Sequence, residues 1–193
     1  PFQVEHYLPE LRAYVQGGGA FLVLGGRQAL SAGGYYGTAI ADWLPLRLSP
    51  LTGDDVGFAE GALGLKLTPA GATHPVTRLA ESAEANAAAW TRHALHGRNT
   101  GLQAGEGGNV LVTDAAGHPL LAVGEAGEGR SAVVATDSLW TWAFPATTGV
   151  GARDRSRDDY HQLLEQLSAW LLRDPDLDAL RLEPPGEAVP ANQ

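Results

Sequence analysis

The chain has 193 residues, 44% of them hydrophobic, a mean hydropathy of −0.12 and a formal net charge of −9. That length fits one domain able to bury about 70% of its unfolded surface. No run approaches the ~18 apolar residues that span a bilayer, and the acidic balance disfavours nucleic acid and anionic membrane as partners. The absence of cysteine excludes disulfides, thiolate metal sites and cysteine nucleophiles together. With no methionine, Pro1 in first place and no signal-peptide pattern, the sequence reads as a domain cut from a longer protein.

Taken in order, apolar residues at 4, 7, 8, 11, 14 and 15 form the stripe of a helix that covers a sheet. Gly17, Gly18 and Gly19 end it. The wholly apolar run 20–24 (AFLVL), closed by Gly25 and Gly26, predicts a strand buried on both faces in the middle of a parallel sheet. A helix feeding such a strand is the second half of a βαβ unit, whose first strand would lie upstream. In an open α/β sheet, ligands bind past the carboxyl ends of the strands, which directs attention to 25–37. A short helix is expected over 38–44, stopped by Pro45, and a hairpin-like excursion over 46–69. Another short helix is expected over 81–89. Strands follow at 109–113, 119–123 and 130–136, then a polar loop over 145–158. Apolar residues at 160, 163, 164, 167, 170 and 171 mark a last helix, closed by Asp174 and Pro175. The domain is placed at 1–175. Residues 176–193, rich in Pro, Gly and Glu, read as a linker or the start of a following domain.

No glycine stretch fits a phosphate-binding pattern. His93 and His96 have two-ligand spacing on a predicted helix but lack a third ligand, so no metal and no cofactor is assigned. Ser138 follows a buried strand beside Asp137 but lacks the G-x-S-x-G elbow. His74, before Pro75, is a candidate general base. Trp140 and Trp142 suit either packing or a sugar or peptide surface.

Several motifs then combine. They are L-x-x-Y-V-x-x-G-G-G-x-x-x-x-L-G-G over 11–26, S-x-G-G-Y-x-G-T over 31–38, A-D-x-L-P over 41–45, Thr73-His74-Pro75, 119–123 (PLLAV), 127–130 (GEGR) and 135–140 (ATDSLW). Together they resemble class I glutamine amidotransferase-like domains, in the branch attached to von Willebrand factor A domains of bacterial membrane-anchored proteins. The resemblance covers about 5–175. It implies a flavodoxin-like three-layer α/β/α fold with a mostly parallel central sheet. It also implies a nucleophilic cysteine on the turn after strand 20–24, with a His and a Glu after a late strand. Here Gly25, Gly26, Arg27 and Gln28 occupy the first place, and Asp137, Ser138, Leu139 and Trp140 the second. Covalent catalysis needs a nucleophile and a base within reach.

The sequence reading is therefore a non-catalytic binding or scaffolding module of a larger bacterial protein. Its partners would be other domains of the same polypeptide, von Willebrand factor A-like and immunoglobulin-like, the parent being anchored in a bacterial envelope. Any persisting site is expected at Gly25, Gly26, Arg27, Gln28, Tyr35, Tyr36 and Trp140. Two other readings stand beside it: a hydrolase with a relocated nucleophile, Ser138 or Ser31, served by His74 or His161; and carbohydrate recognition through Tyr35, Tyr36, Trp140 and Trp142.

Overall fold

The computed structural model describes residues 4–144 and 150–175; the expected linker 176–193 lies outside the described residues. A 3-10 turn, Val4–Tyr7, leads into helix α1 (Leu8–Gln16), which carries proline in its first turn, where a missing N–H is tolerated. The N–H groups of Gly17, Gly18 and Gly19 return to the carbonyls of Ala13, Val15 and Tyr14 and close the helix. Strand β1 (Ala20–Leu24) follows at once.

Two 3-10 turns, Leu30–Gly33 and Ala41–Trp43, precede β2 (Leu46–Leu48) and the long β3 (Phe58–Leu67). Helices α2 (Pro69–Thr73) and α3 (Ala83–Thr91) are each capped by a hydroxyl, Thr68 accepting from the Gly71 N–H and Ser82 from the Ala85 N–H. Then come β4 (Ala94–Asn99), β5 (Leu102–Ala104), β6 (Gly108–Asp114), β7 (Pro119–Ala126) and β8 (Gly129–Val134). A 3-10 turn, Leu139–Trp142, and helix α4 (Val150–Leu171) complete the order. Residues 150–158, expected as part of a polar loop, belong to α4, because no proline interrupts the segment, and Arg155, Arg157 and Asp158 lie exposed on it. Among the described residues no helix is long and apolar enough to cross a membrane.

The fold is mixed α/β with a central sheet in the order β1-β8-β7-β6-β3-β4, while β2 and β5 pair separately. The expectation of a mostly parallel sheet does not hold. Only β1 and β8 run parallel, and the other four pairings are antiparallel. The reason lies in the connections. The links 115–118 and 127–128 are tight turns, which join only antiparallel neighbours, whereas a parallel pair needs a crossover of a dozen residues or more. Among the described residues, β1 pairs with β8 and with no other strand.

β8 shows how the layers are held. Ala132 and Val134 face a core with Trp90, Trp142, Leu163 and Leu167, from α3, the turn after β8, and α4. Val133 and Ala135 face a second core with Leu8, Val15, Trp43 and Leu46 on the opposite side. Period-two alternation thus buries both faces of this strand. In the first core, the Trp90 indole N–H donates to the Thr77 carbonyl (2.8 Å) and that of Trp142 to the Ala94 carbonyl (3.2 Å). Their rings meet edge-on at 5.6 Å.

Leu167 is fully enclosed in this core, whereas Leu172, just past the end of α4, is 72% exposed. Leu167→Ala is expected to lower unfolding free energy by about 2–4 kcal/mol, and Leu172→Ala by less than about 0.5 kcal/mol. Urea midpoints of both variants check the contrast.

Candidate functional site

The carboxyl ends of the parallel pair β1 and β8 are where an α/β sheet places a ligand. The Gly25 N–H donates to the Val134 carbonyl, and the chain then turns away from the sheet. A Cβ on Gly25 would lie 2.4 Å from Asn99 Oδ1 and 2.5 Å from the Thr136 nitrogen, so only glycine fits. Gly26 has φ +145°, a conformation that favours glycine.

Asn99, the last residue of β4, is 1% exposed and holds this turn. Its Oδ1 accepts the Gly26 N–H (2.9 Å), and its Nδ2 donates to the Gly26 carbonyl (2.8 Å). The same Nδ2 reaches the carbonyls of Gly57 (3.2 Å) and Ala29 (3.3 Å). Its own backbone N–H donates to the Ala135 carbonyl (2.9 Å). The side-chain amide of Asn99 therefore joins the turn after β1 to the loop before β3, and its backbone N–H ties both to the segment after β8.

The hydroxyls nearby are committed to the fold. Thr136 Oγ1 donates to the Gly97 carbonyl (2.8 Å). Its single proton being used there, the 2.9 Å contact with Ser138 Oγ has Ser138 as donor. Ser138 Oγ in turn accepts the His96 backbone N–H (2.8 Å), and the residue is buried. Ser31, also buried, donates to the Ser49 carbonyl (2.8 Å).

His74 Nδ1 accepts the Val76 N–H, and its ring meets Trp170. Burial, and secondarily the Arg130 charge, lower its pKa to about 4. Arg130 lies at the start of β8 and Ser138 beyond its end, so a strand about 20 Å long separates the surroundings of His74 from Ser138. His161 is exposed on α4, its ring against that of Tyr160.

The residues expected at the site divide into separate places. Gly25, Gly26 and Asp137 gather around Asn99, with the exposed Asp137 beside Gly26. Arg27 pairs with Glu60 and lies over the Phe58 ring at 5.5 Å. Gln28 and Tyr35 line a cleft of about 260 Å³ along β1, with Leu22, Leu24, Leu30 and Ile40. Tyr36 is exposed. Trp140 is exposed beside Phe144, while Trp142 is buried, so the four aromatic residues form no common surface.

The helical spacing assigned to His93 and His96 is also corrected. His93 follows α3 and is buried, its Nε2 2.7 Å from Asp159 Oδ2 and its ring stacked on Trp142 at 3.9 Å. His96 is exposed within β4. Burial lowers the His93 pKa against the raising effect of Asp159. Among the described residues no group of three or more His, Cys, Asp or Glu could hold a metal ion. Asn99 has no counterpart in the sequence reading. Its only local mark is an asparagine ahead of a Thr-Gly turn, which does not identify a partner 73 residues away.

Residues 3–165 match the model of the GATase1-like family, described as putative glutamine amidotransferase, and the chain belongs to that family. No curated protein matches the chain. Two solved structures share the fold. Cytoplasmic Protein STM1381 from Salmonella typhimurium LT2 is 21% identical with a TM-score of 0.63, the match covering 85% of this chain and 60% of that one. Cytoplasmic Protein STM3548 from Salmonella typhimurium is 23% identical with a TM-score of 0.62, covering 85% and 59%. The match thus spans about three fifths of the length of either relative.

Gly25→Ala is expected to cost more than about 2 kcal/mol, because its methyl group meets the Asn99 amide and the Thr136 backbone; thermal and urea unfolding read this. His74 supplies a pH effect. Its folded pKa lies below the ordinary 6.5, so the unfolded chain binds the proton more readily. Stability falls as pH drops from 6.5 to about 4, and this group contributes no further loss below that. With solvent screening the loss is about 1–2 kcal/mol. His74→Asn, which keeps an acceptor for the Val76 N–H, should flatten that part of a urea-midpoint profile and leave the slope contributed by His93.

Proposed function

We propose that this amidotransferase-like domain does not hydrolyse glutamine and acts as a binding or scaffolding module within a larger protein. The observation that carries the reading is the turn after β1. The position that the resemblance assigns to a cysteine nucleophile is glycine or a neighbouring residue in a chain without cysteine. The two glycines of the turn already have partners: Gly25 bonds to Val134, and Gly26 uses both its N–H and its carbonyl on Asn99. Adding a side chain at Gly25 meets atoms closer than 3 Å. An oxyanion site requires donors free to point at developing charge, and the Gly26 N–H points at Asn99.

The same geometry weighs against a relocated serine. A nucleophilic hydroxyl passes its proton to a base within about 3.2 Å. The Ser138 proton goes to Thr136 and that of Ser31 to a backbone carbonyl.

Cores on both faces of the sheet fit a flavodoxin-like three-layer arrangement in which the β1–β8 pairing is parallel and the other pairings of the sheet are antiparallel. Partners of the von Willebrand factor A and immunoglobulin-like kinds, in an envelope-anchored bacterial parent, belong to this proposal and rest on the sequence resemblance.

Purified chain incubated with glutamine should release no ammonia or glutamate above the buffer rate. An electrophilic glutamine analogue should leave its mass unchanged. Turnover by the purified chain, or a stoichiometric adduct, would overturn the reading.

A further inference from the structure

The loop that enters α3 carries a second inference, independent of the turn after β1 and of whether glutamine is turned over. The end of α2, this loop and the first turn of α3 wall a pocket of about 450 Å³. All of its walls come from one stretch of chain, residues 72–86. It lies on the side of the sheet where Leu79, Ala89 and Trp90 join the first core, and α1 packs on the other side.

Asn86 points to a ligand here. The residue is only 4% exposed, and its Oδ1 accepts the Leu79 N–H (2.8 Å). Only an oxygen can accept that bond, so the amide has one orientation and Nδ2 is turned the other way. Nδ2 bonds to no described residue, yet it is not sealed from solvent. Its two N–H donors therefore open on the pocket that Asn86 lines. A buried amide with one half used and the other half free is uncommon, since buried polar groups are normally paired.

The neighbouring groups are donors too. Ser82 Oγ accepts the Ala85 N–H (3.1 Å), which leaves its own proton without an acceptor among the described residues. The Asn86 N–H is used on the Ser82 carbonyl, whereas those of Ala83 and Glu84 have no acceptor within the helix. Arg78 is exposed on the pocket wall, and its guanidinium has no partner among the described residues. Its carbonyl accepts from Gln162 (2.8 Å) and Gln166 (2.7 Å), so α4 fixes the backbone from which that cation projects.

We propose that this pocket binds a small hydroxylated carboxylate. Its oxygens are taken by Arg78, Asn86 Nδ2, the Ser82 hydroxyl and the first N–H groups of α3. A guanidinium fork matches a planar carboxylate, and the start of a helix favours negative charge. Glu81 stands on the same wall. Its charge disfavours a doubly charged phosphate, and it offers an acceptor to a hydroxyl beside the carboxylate. A ligand of about a dozen heavy atoms is expected to bind with a Kd of about 1 mM.

Titration of the nitrogen-15-labelled chain with D-glucuronate and with lactate tests the proposal, read at the side-chain amide of Asn86. At least one of them should shift these resonances saturably, and inorganic phosphate at matched ionic strength should not. Arg78→Ala removes an exposed side chain and keeps the carbonyl that Gln162 and Gln166 hold. It should weaken binding at least tenfold. Asn86→Asp keeps the acceptor for Leu79 and replaces the donors with a repelling oxygen, so binding should be lost. If that buried variant does not fold, Arg78→Ala and the resonances of the unmodified chain still decide. No saturable shift with either compound up to about 20 mM, well above the expected Kd, would overturn the proposal. So would an equal response to phosphate, or binding that Arg78→Ala leaves unchanged.

Discussion

The structure at the carboxyl end of the parallel pair depends on the side-chain amide of Asn99. An asparagine amide carries the same donor and acceptor as a peptide group. At 1% exposure it pairs with Gly26 as a neighbouring strand would, taking the N–H on Oδ1 and giving an N–H to the carbonyl. The remaining reach of Nδ2 holds Ala29 and Gly57. Each of these backbone groups, left buried and unpartnered, would cost on the order of 1–3 kcal/mol. The glycine at 25 follows from the same constraint, because the amide oxygen occupies the space a Cβ would need.

That arrangement shapes what the site can do. Loops past a strand end ordinarily offer spare N–H groups and hydroxyls, which bind anions or stabilise developing charge. Here the Gly26 amide and the nearby serine hydroxyls are used by the fold itself: Gly26 on Asn99, Ser138 between Thr136 and His96, Ser31 on Ser49. The ionisable groups around it are likewise separated. His93 is enclosed with Asp159, His74 lies near the other end of β8, and Arg27 is paired with Glu60. What faces solvent is an apolar cleft along β1, the exposed carboxylate of Asp137 and the Trp140–Phe144 pair.

Much of this fold could be read from the sequence where local pattern decides. Strand 20–24 lies between its glycines as expected, the runs at 109–113 and 119–123 fall within β6 and β7, and the stripe from 160 to 171 lies on α4. The direction of the sheet is not legible in a continuous apolar run, which suits parallel and antiparallel neighbours alike, and the family resemblance implies more parallel pairing than this sheet has. The turn at 114–117 and the glycine-rich turn before Arg130, both visible in the sequence, already required antiparallel neighbours. Residues 94–99 (ALHGRN) do not read as a strand because a glycine and three polar residues mask the alternation, and what holds β4 in place is distant: β3 on one side, and on the other the hydrogen bonds of Asn99 and His96 to 135–138. Asn99 itself was unreadable for the same reason. Its meaning lies in contacts 42 and 73 residues away.

The most direct test of this account is native-state hydrogen exchange at the Gly26 amide. Bonded to Asn99 in a buried setting, it should exchange only through large-scale unfolding, at a rate close to that of core amides such as Val133. Exchange as fast as that of an exposed loop amide would mean that the turn opens freely. A free donor would then be available where the chemistry of this family is expected, contradicting the account.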